Sequence, residues 1–556
     1  MTLLLLTLIF APLAFASVEP WAQAALQVSM FAQAAKTYAE GRDVWPNPLY
    51  KNLLPAALGL ALLGLLQALN ENPVTAPSSL LFTAWRPATL SASLNWLFYA
   101  AVLYAVPQVI NTPERFEKLM WTLFGLGVTV GLVGMFQKSG DTTLVYGLRQ
   151  VRGEAFGPFI NRDHGAHYLV MAAMCGLGLF FSGWRDLARQ QSHTRLFDLL
   201  AIQFLKLVMV GAMVYGVYRT GSRGGLHSFA FAVLLFGVIA GSFLKTGRYR
   251  AAAWLGVALL SAGYGLFLNS NRYLLGFQDG EMVRSVTLRF SMYRSALAMI
   301  RDFPLFGSGL GAVEFAFPPY KLPDMPELGL VRHVHSDWME LFVQAGFAGG
   351  LLYVFGLLFA LGGFFRTWLH CRSFRLKAMY GGALGALLAA AVHNFVEFGS
   401  QMPANALTFF ALAGALASGP PAWAGRRSAD EEGPEPARRR RRQRRAAWAL
   451  AGLLALAALP PVVAWQYDLR AAEAGYPLKA RLLESALAWR PNPQYAFRLA
   501  LAHYNAAFAD PANYEADLAA AAAVTGRWLG RAPVNYDLNR LAGKIMYFRL
   551  HPPKKP

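Results

Sequence analysis

The chain has 556 residues, 55% of them hydrophobic and only 15% charged, with a formal net charge of +20. So apolar a composition excludes an ordinary soluble protein, because runs of ~17–25 apolar residues are long enough to span a bilayer. The basic excess does not point to nucleic acid either. Many of the lysines and arginines lie in loops between apolar stretches, and two cysteines, Cys175 and Cys371, supply neither a disulfide framework nor a metal cluster.

In chain order, about thirteen segments have the apolar length or near-length of a span. They are residues 3–15, 21–35, 53–69, 94–110, 119–136, 168–184 and 199–217, then 229–244, 252–268, 347–365, 378–396, 404–417 and 446–465. The first, second and twelfth are short, as expected of elements that extend into their flanks or are kinked or partly re-entrant. The opening MTLLLLTLIFAPLAFAS resembles a signal h-region, but it lacks a basic start and another apolar segment follows at once, so it reads as the first span. The predicted fold class is all-α: a polytopic transmembrane helical bundle with a large outer loop, 269–346. A core over 1–418 is followed by a basic linker at 419–445, a last span at 446–465 and an α-helical domain at 466–556. In that last domain, apolar residues at helical spacing with Pro or Gly at the joints resemble tetratricopeptide-like hairpins.

Orientation follows from charge. The run RRRRRQRR (438–445) stands directly before a span and reads as cytoplasmic, as well as a solvated linker. Counting back, the basic loops 366–377, 245–250 and 185–195 fall on the same side. The break YRTGSRGG (218–225) then falls on the outer face, where arginines in a very short loop run against the usual bias. Arg219 and Arg223 therefore suggest an anionic ligand.

A second outer constellation is RHVHSDWMELFVQAGFAGG (332–350). His335 has the chemistry of a general base; the plain alternative is an interfacial cap with Ser336 or Asp337 at the helix start. His333 and His335 lack the further ligands that a metal site needs. Between the two constellations, Phe290, Leu297 and Ile300 mark an amphipathic segment carrying Arg289 and Arg294. The glycines of GSGLG (307–311) permit a tight backbone approach but follow no strand, as a phosphate loop would. His164 and His167 read as interfacial anchors or sugar contacts. His393 and Glu397 read equally as site members or as helix-end groups. Tyr293 and Trp338 have faces suited to stacking on sugars.

SRGG at 222–225, the RF…Y…A…DFPLFGSGLG segment and HSDWMELFVQAGFAG together resemble the O-antigen ligase and polymerase family. VRGEAFGPFINRDHGAHYLVM upstream and VHNFVEFGSQMPANAL downstream resemble two further blocks of that family, so the likeness runs over about 53–417. The resemblance implies a metal-independent glycosyltransferase without cofactor in the bacterial cytoplasmic membrane, working at its periplasmic face. The implied donor is a polyprenyl-diphosphate-linked glycan. The implied acceptor is a glycolipid such as lipid A core, a growing glycan, or a protein hydroxyl. It also implies His335 as the base and Arg223, Arg289 and Arg152 as diphosphate ligands, while Arg219 stands on charge grounds alone. Asn161, Tyr293, Asp337 and Glu340 are lesser candidates for substrate or acceptor contacts. The chain departs from the family at Gln344, where relatives often carry Glu. Guanidinium groups stabilise charge on a departing diphosphate, and an opposed base implies one displacement with inversion. Competing readings are a lipid-linked glycan transporter, which would show repeats and broken helices at mid-membrane, and a non-catalytic scaffold.

Overall fold

The computed structural model describes residues 1–40, 50–72, 77–151, 153–243, 281–325, 330–419, 437–533 and 535–551. The expected span at 252–268, the basic loop 245–250 and Arg152 lie outside these residues.

The described chain is a helical bundle. Its helices are α1 (Thr2–Leu13), α2 (Pro20–Ala39), α3 (Tyr50–Gln67), α4 (Arg86–Val109), α5 (Pro113–Gln137), α6 (Arg162–Ser182), the short α7 (Trp184–Arg189), α8 (His193–Thr220) and α9 (Arg223–Phe243). They continue as α10 (Glu281–Asp302), α11 (Val313–Ala316), α12 (Asp337–His370), α13 (Phe374–His393) and α14 (Pro403–Ala417). The last six are α15 (Ala437–Ala457), α16 (Leu459–Glu473), α17 (Leu478–Trp489), α18 (Pro493–Ala509), α19 (Tyr514–Arg531) and α20 (Tyr536–Leu550). Among the described residues, seven helices are long and apolar enough to cross a membrane, and three shorter apolar helices accompany them. The helix α1, at the first expected span, stops at Leu13. There, Phe15, Ala16 and Ser17 all take positive φ and turn the chain towards α2.

Two small-residue helices form the centre. Gly178 of α6 lies against Gly382 of α13, and a β-carbon on Gly382 would come within 2.6 Å of the Met174 carbonyl oxygen. Glycine lets the two backbones cross closely, which is how helices associate tightly in lipid. By contrast α8 leaves Phe197, Ile202, Phe204 and Leu205 exposed, as a helix facing hydrocarbon does.

The helices run up and down. The N-termini of α6, α12 and α14 and the C-termini of α8 and α13 share one end of the bundle, where α10 and the 303–336 segment also sit. The described basic stretches 185–195, 366–377 and 438–445 gather at the opposite end. The GSGLG segment is spent on structure. The amides of Gly307, Ser308, Gly309, Leu310 and Gly311 donate to Phe303 O, Val343 O, Gln344 O, Gln67 Oε1 and Gln344 Oε1. No donor in that loop is left for a phosphate. Its partner strand is a break in α12 at Gly346 (φ 59, ψ −166), just before the apolar run begins.

The C-terminal helices α17–α20 pack as successive hairpins. They dock where Trp85 stacks on Phe315 (5.0 Å between ring centres) and meets Trp528 at 6.1 Å.

Candidate functional site

The turn YRTGSRGG is built from two helix ends. Gly221 closes α8 in the left-handed conformation (φ 73), and the Ser222 hydroxyl accepts from the Gly225 amide to open α9. Arg223 is thus the first residue of α9, half-buried at a helix N-terminus, where amides and guanidinium together favour an anion. The next residue has no room for a side chain: a β-carbon on Gly224 would lie 2.9 Å from the His393 ring at the end of α13. Arg219 is exposed. It donates to the Tyr215 hydroxyl (3.3 Å) and lies over that ring, on the outside of α8.

Arg289 and Tyr293 stand one turn apart on α10, so they share a face. The Tyr293 hydroxyl donates to the carbonyls of His335 (3.0 Å) and Phe395 (3.3 Å), joining the two loops of the site. His335 itself has φ 56, a left-handed conformation that costs a non-glycine residue about 1–2 kcal/mol and recurs at functional sites. The Ser336 hydroxyl accepts from the Met339 amide and caps α12, so the expected cap and a half-buried histidine coexist.

The loop after α13 is laced to that helix start. The Asp337 amide donates to the carbonyls of Asn394 (3.0 Å) and Glu397 (3.2 Å), and the Ser400 amide donates to Asp337 Oδ2 (2.8 Å). Trp338 Nε1 donates to the Ala391 carbonyl at 2.9 Å, which occupies its polar edge. This lacing delivers Glu397, 2% exposed, to the centre of the site. Its Oε1 accepts from His335 Nδ1 (3.0 Å) and from the Phe398 amide (3.2 Å); its Oε2 accepts from Arg289 Nη2 (3.3 Å). His164 Nε2 lies 4.0 Å from Oε1. Burial alone would raise the Glu397 pKa. The His335 hydrogen bond and charge, with His164 and Arg289, outweigh it and hold the carboxyl well below the ordinary carboxylate range. A carboxylate only accepts, so His335 Nδ1 carries the hydrogen and Nε2 is the nitrogen left to take a proton.

Phe398 is the hub of an aromatic floor beneath Glu397. His333 stacks on its ring at 4.2 Å, and His335 and His164 meet it edge-on at 4.9 and 4.6 Å. Glu340 serves this floor, not the solvent: it binds His333 Nδ1, the Val334 amide and Gln344 Nε2, each at 2.9 Å. Burial lowers the His333 pKa, but the Glu340 charge and hydrogen bond carry it above the ordinary imidazole value. Gln344 therefore has work that a glutamate could not do, donating to Glu340 while accepting from the Gly311 amide.

Four of the expected site residues fall into structural ties. Asn161 caps α6 by accepting from the Asp163 amide, Asp337 and Glu340 lace loops, and the Tyr293 hydroxyl bridges carbonyls. His164 and His167 are buried, not interfacial, and His167 stacks on His393 at 5.1 Å. The position of α6 at the centre of the bundle takes them from the surface. Glu397 and Phe398 are the members that local sequence reading left undecided or missed. Glu397 comes to His335 from 62 positions away, through the antiparallel pairing of α12 and α13.

Residues 208–354 match the family model described as O-antigen ligase. That segment runs from within α8 to within α12 and contains Arg219, Arg223, Arg289, Tyr293 and His335. No curated protein matches the chain.

Proposed function

We propose, from the O-antigen ligase domain at residues 208–354, that the protein is a membrane glycosyltransferase. It moves a glycan from a polyprenyl-diphosphate carrier to an acceptor hydroxyl at the periplasmic face of the bacterial inner membrane. The observation that carries the reading is the Arg289–Glu397–His335 cluster, a base and a guanidinium on one buried carboxylate at one end of the bundle. The gathering of basic stretches at the other end supports placing the cluster outside.

His335 Nε2 takes the acceptor hydroxyl proton as the acceptor oxygen attacks the anomeric carbon. A new C–O bond forms on one face while the bond to the diphosphate oxygen breaks on the other, and its electron pair leaves with the diphosphate. Arg223 and Arg289, with Arg152 as a further candidate, meet that charge. The sugar inverts in one displacement. The isoprenoid tail lies against the apolar helices.

The test is transfer by purified full-length protein with a chelator present, using a polyprenyl-diphosphate glycan and glycolipid, glycan and protein acceptors. His335→Ala and Arg223→Ala each lower the rate at least ~10²-fold, the usual scale of lost acid–base or electrostatic assistance. Arg219→Ala, exposed on Tyr215, changes it less than about threefold, as a surface cation does. Full activity in His335→Ala overturns the base. A ladder of products marks a polymerase, a single addition to glycolipid a ligase, and a glycosylated protein an O-oligosaccharyltransferase.

A further inference from the structure

One carboxylate serves two masters. Glu397 gives Oε1 to the proposed base and Oε2 to a proposed diphosphate ligand, at 3.0 and 3.3 Å. Resting on the reading above, we infer that Glu397 is the positioning residue of His335 and that Arg289 restrains it until a diphosphate draws the arginine away.

The guanidinium cannot serve both anions fully. Arg289 gives one nitrogen to Glu397 and another to the Ser285 hydroxyl (2.8 Å), while its buried Nε has no hydrogen-bond partner. A diphosphate offers paired oxygens to the planar fork and more charge than a carboxylate. It competes for the arginine from the open side, since Arg289 is 30% exposed and Glu397 is 2% exposed. When the arginine turns to phosphate, Glu397 loses its cation in a place that water does not reach. Its charge then rests on His335 Nδ1–H and the Phe398 amide, with His164 4.0 Å away. A buried carboxylate with fewer partners favours imidazolium more strongly. The base is therefore strongest when the donor is seated, which couples acceptor activation to donor binding.

Among the described residues, His335 from the 332–336 segment, Arg289 from α10, His164 from α6 and the Phe398 amide face the Glu397 carboxylate, and His393 at the end of α13 lies within reach of its charge. His333 and Tyr293 stand next to His335, on the Phe398 ring and the His335 carbonyl respectively. None of these other groups is altered by Glu397→Gln.

The experiment measures donor affinity, kcat and the acid limb of the pH–rate profile for wild-type protein, Glu397→Gln, Glu397→Asp and His335→Ala in nanodiscs. The probe is a fluorescent polyprenyl-diphosphate glycan. Glu397→Gln is expected to bind donor about three- to tenfold more tightly, because Arg289 is released. Its kcat falls about 10²-fold and its acid limb moves to lower pH. A merely structural role would weaken donor binding along with turnover. Glu397→Asp keeps the charge, so its acid limb stays near that of wild type while kcat falls about tenfold; it decides the matter if the glutamine variant is not monodisperse. The inference is overturned if Glu397→Gln binds donor no more tightly, or if either variant moves the limb the wrong way. Loss of transfer in His335→Ala alongside a normal Glu397→Gln sinks this inference alone. Full transfer in His335→Ala sinks the functional reading beneath it.

Discussion

At the residue scale, the site concentrates charge where burial makes it costly. Glu397, with its carboxyl depressed below the ordinary range by His335, His164 and Arg289 against burial, links stability to pH. A group whose folded pKa is lowered contributes stability that is fully present above its unfolded value, about 4.3, and is lost as pH falls towards the folded value. The difference in melting temperature between wild type and Glu397→Gln in detergent should therefore be constant near neutrality and shrink below about pH 4. A gap that stays constant into acid would show that the carboxylate charge is not what those partners bind. The residues themselves were partly legible in the sequence. Arg223, Arg289 and His335 sit in recognisable blocks, and a histidine before a capped helix start already has the chemistry of a base. Glu397 was ambiguous because a carboxylate at a span end has two ordinary explanations. Only the pairing of α12 with α13 decides between them.

At the element scale, glycines set the site more than charges do. The break in α12 at Gly346 leaves a short helical segment outside the long apolar run, with Ser336 as its cap and His335 just before it. The same break lets the 343–348 backbone pair with the 304–309 segment: Phe347 and Ala348 donate to the carbonyls of Pro304 and Leu305, and Ser308 and Gly309 to those of Val343 and Gln344. Gly346→Ala puts a β-carbon into the Leu305 carbonyl at a positive φ, so it should give protein that aggregates or melts many degrees lower. Gly362→Ala, on the same helix with nothing within 4 Å, should melt at or slightly above wild type. Equal behaviour of the two on size-exclusion and thermal melting would contradict the role given to the break. In the sequence GSGLG allowed a tight backbone approach but lacked the strand of a phosphate loop, and glycine spacing alone does not reveal where the amides point. Its five donors go to backbone and to the buried amides Gln67 and Gln344. Of the amphipathic face expected on α10, Phe290 and Leu297 stay exposed, whereas Ile300 packs against the apolar cluster around Phe303 and Phe317.

At the scale of the whole molecule, apolar run length conveyed the membrane-helical class but not how many helices cross. Runs such as 3–15 have the composition of a span without its length, and hydropathy does not see the turn at Phe15–Ser17. The distribution of charge was more informative, because it depends on loops and not on helix ends. It set YRTGSRGG apart from the other basic loops, and the fold places that turn against His393, near Glu397. The C-terminal helices, anchored by Trp85, Phe315 and Trp528, flank the same end of the bundle. The account stands most directly on one measurement: single-turnover reaction in proteoliposomes of a donor labelled in both glycan and lipid. Wild-type protein should release one free polyprenyl diphosphate for each glycan joined to acceptor, with inverted anomeric configuration, and His335→Ala should release almost none. Retained configuration, or glycan crossing the bilayer still attached to its lipid with no acceptor modified, would contradict it.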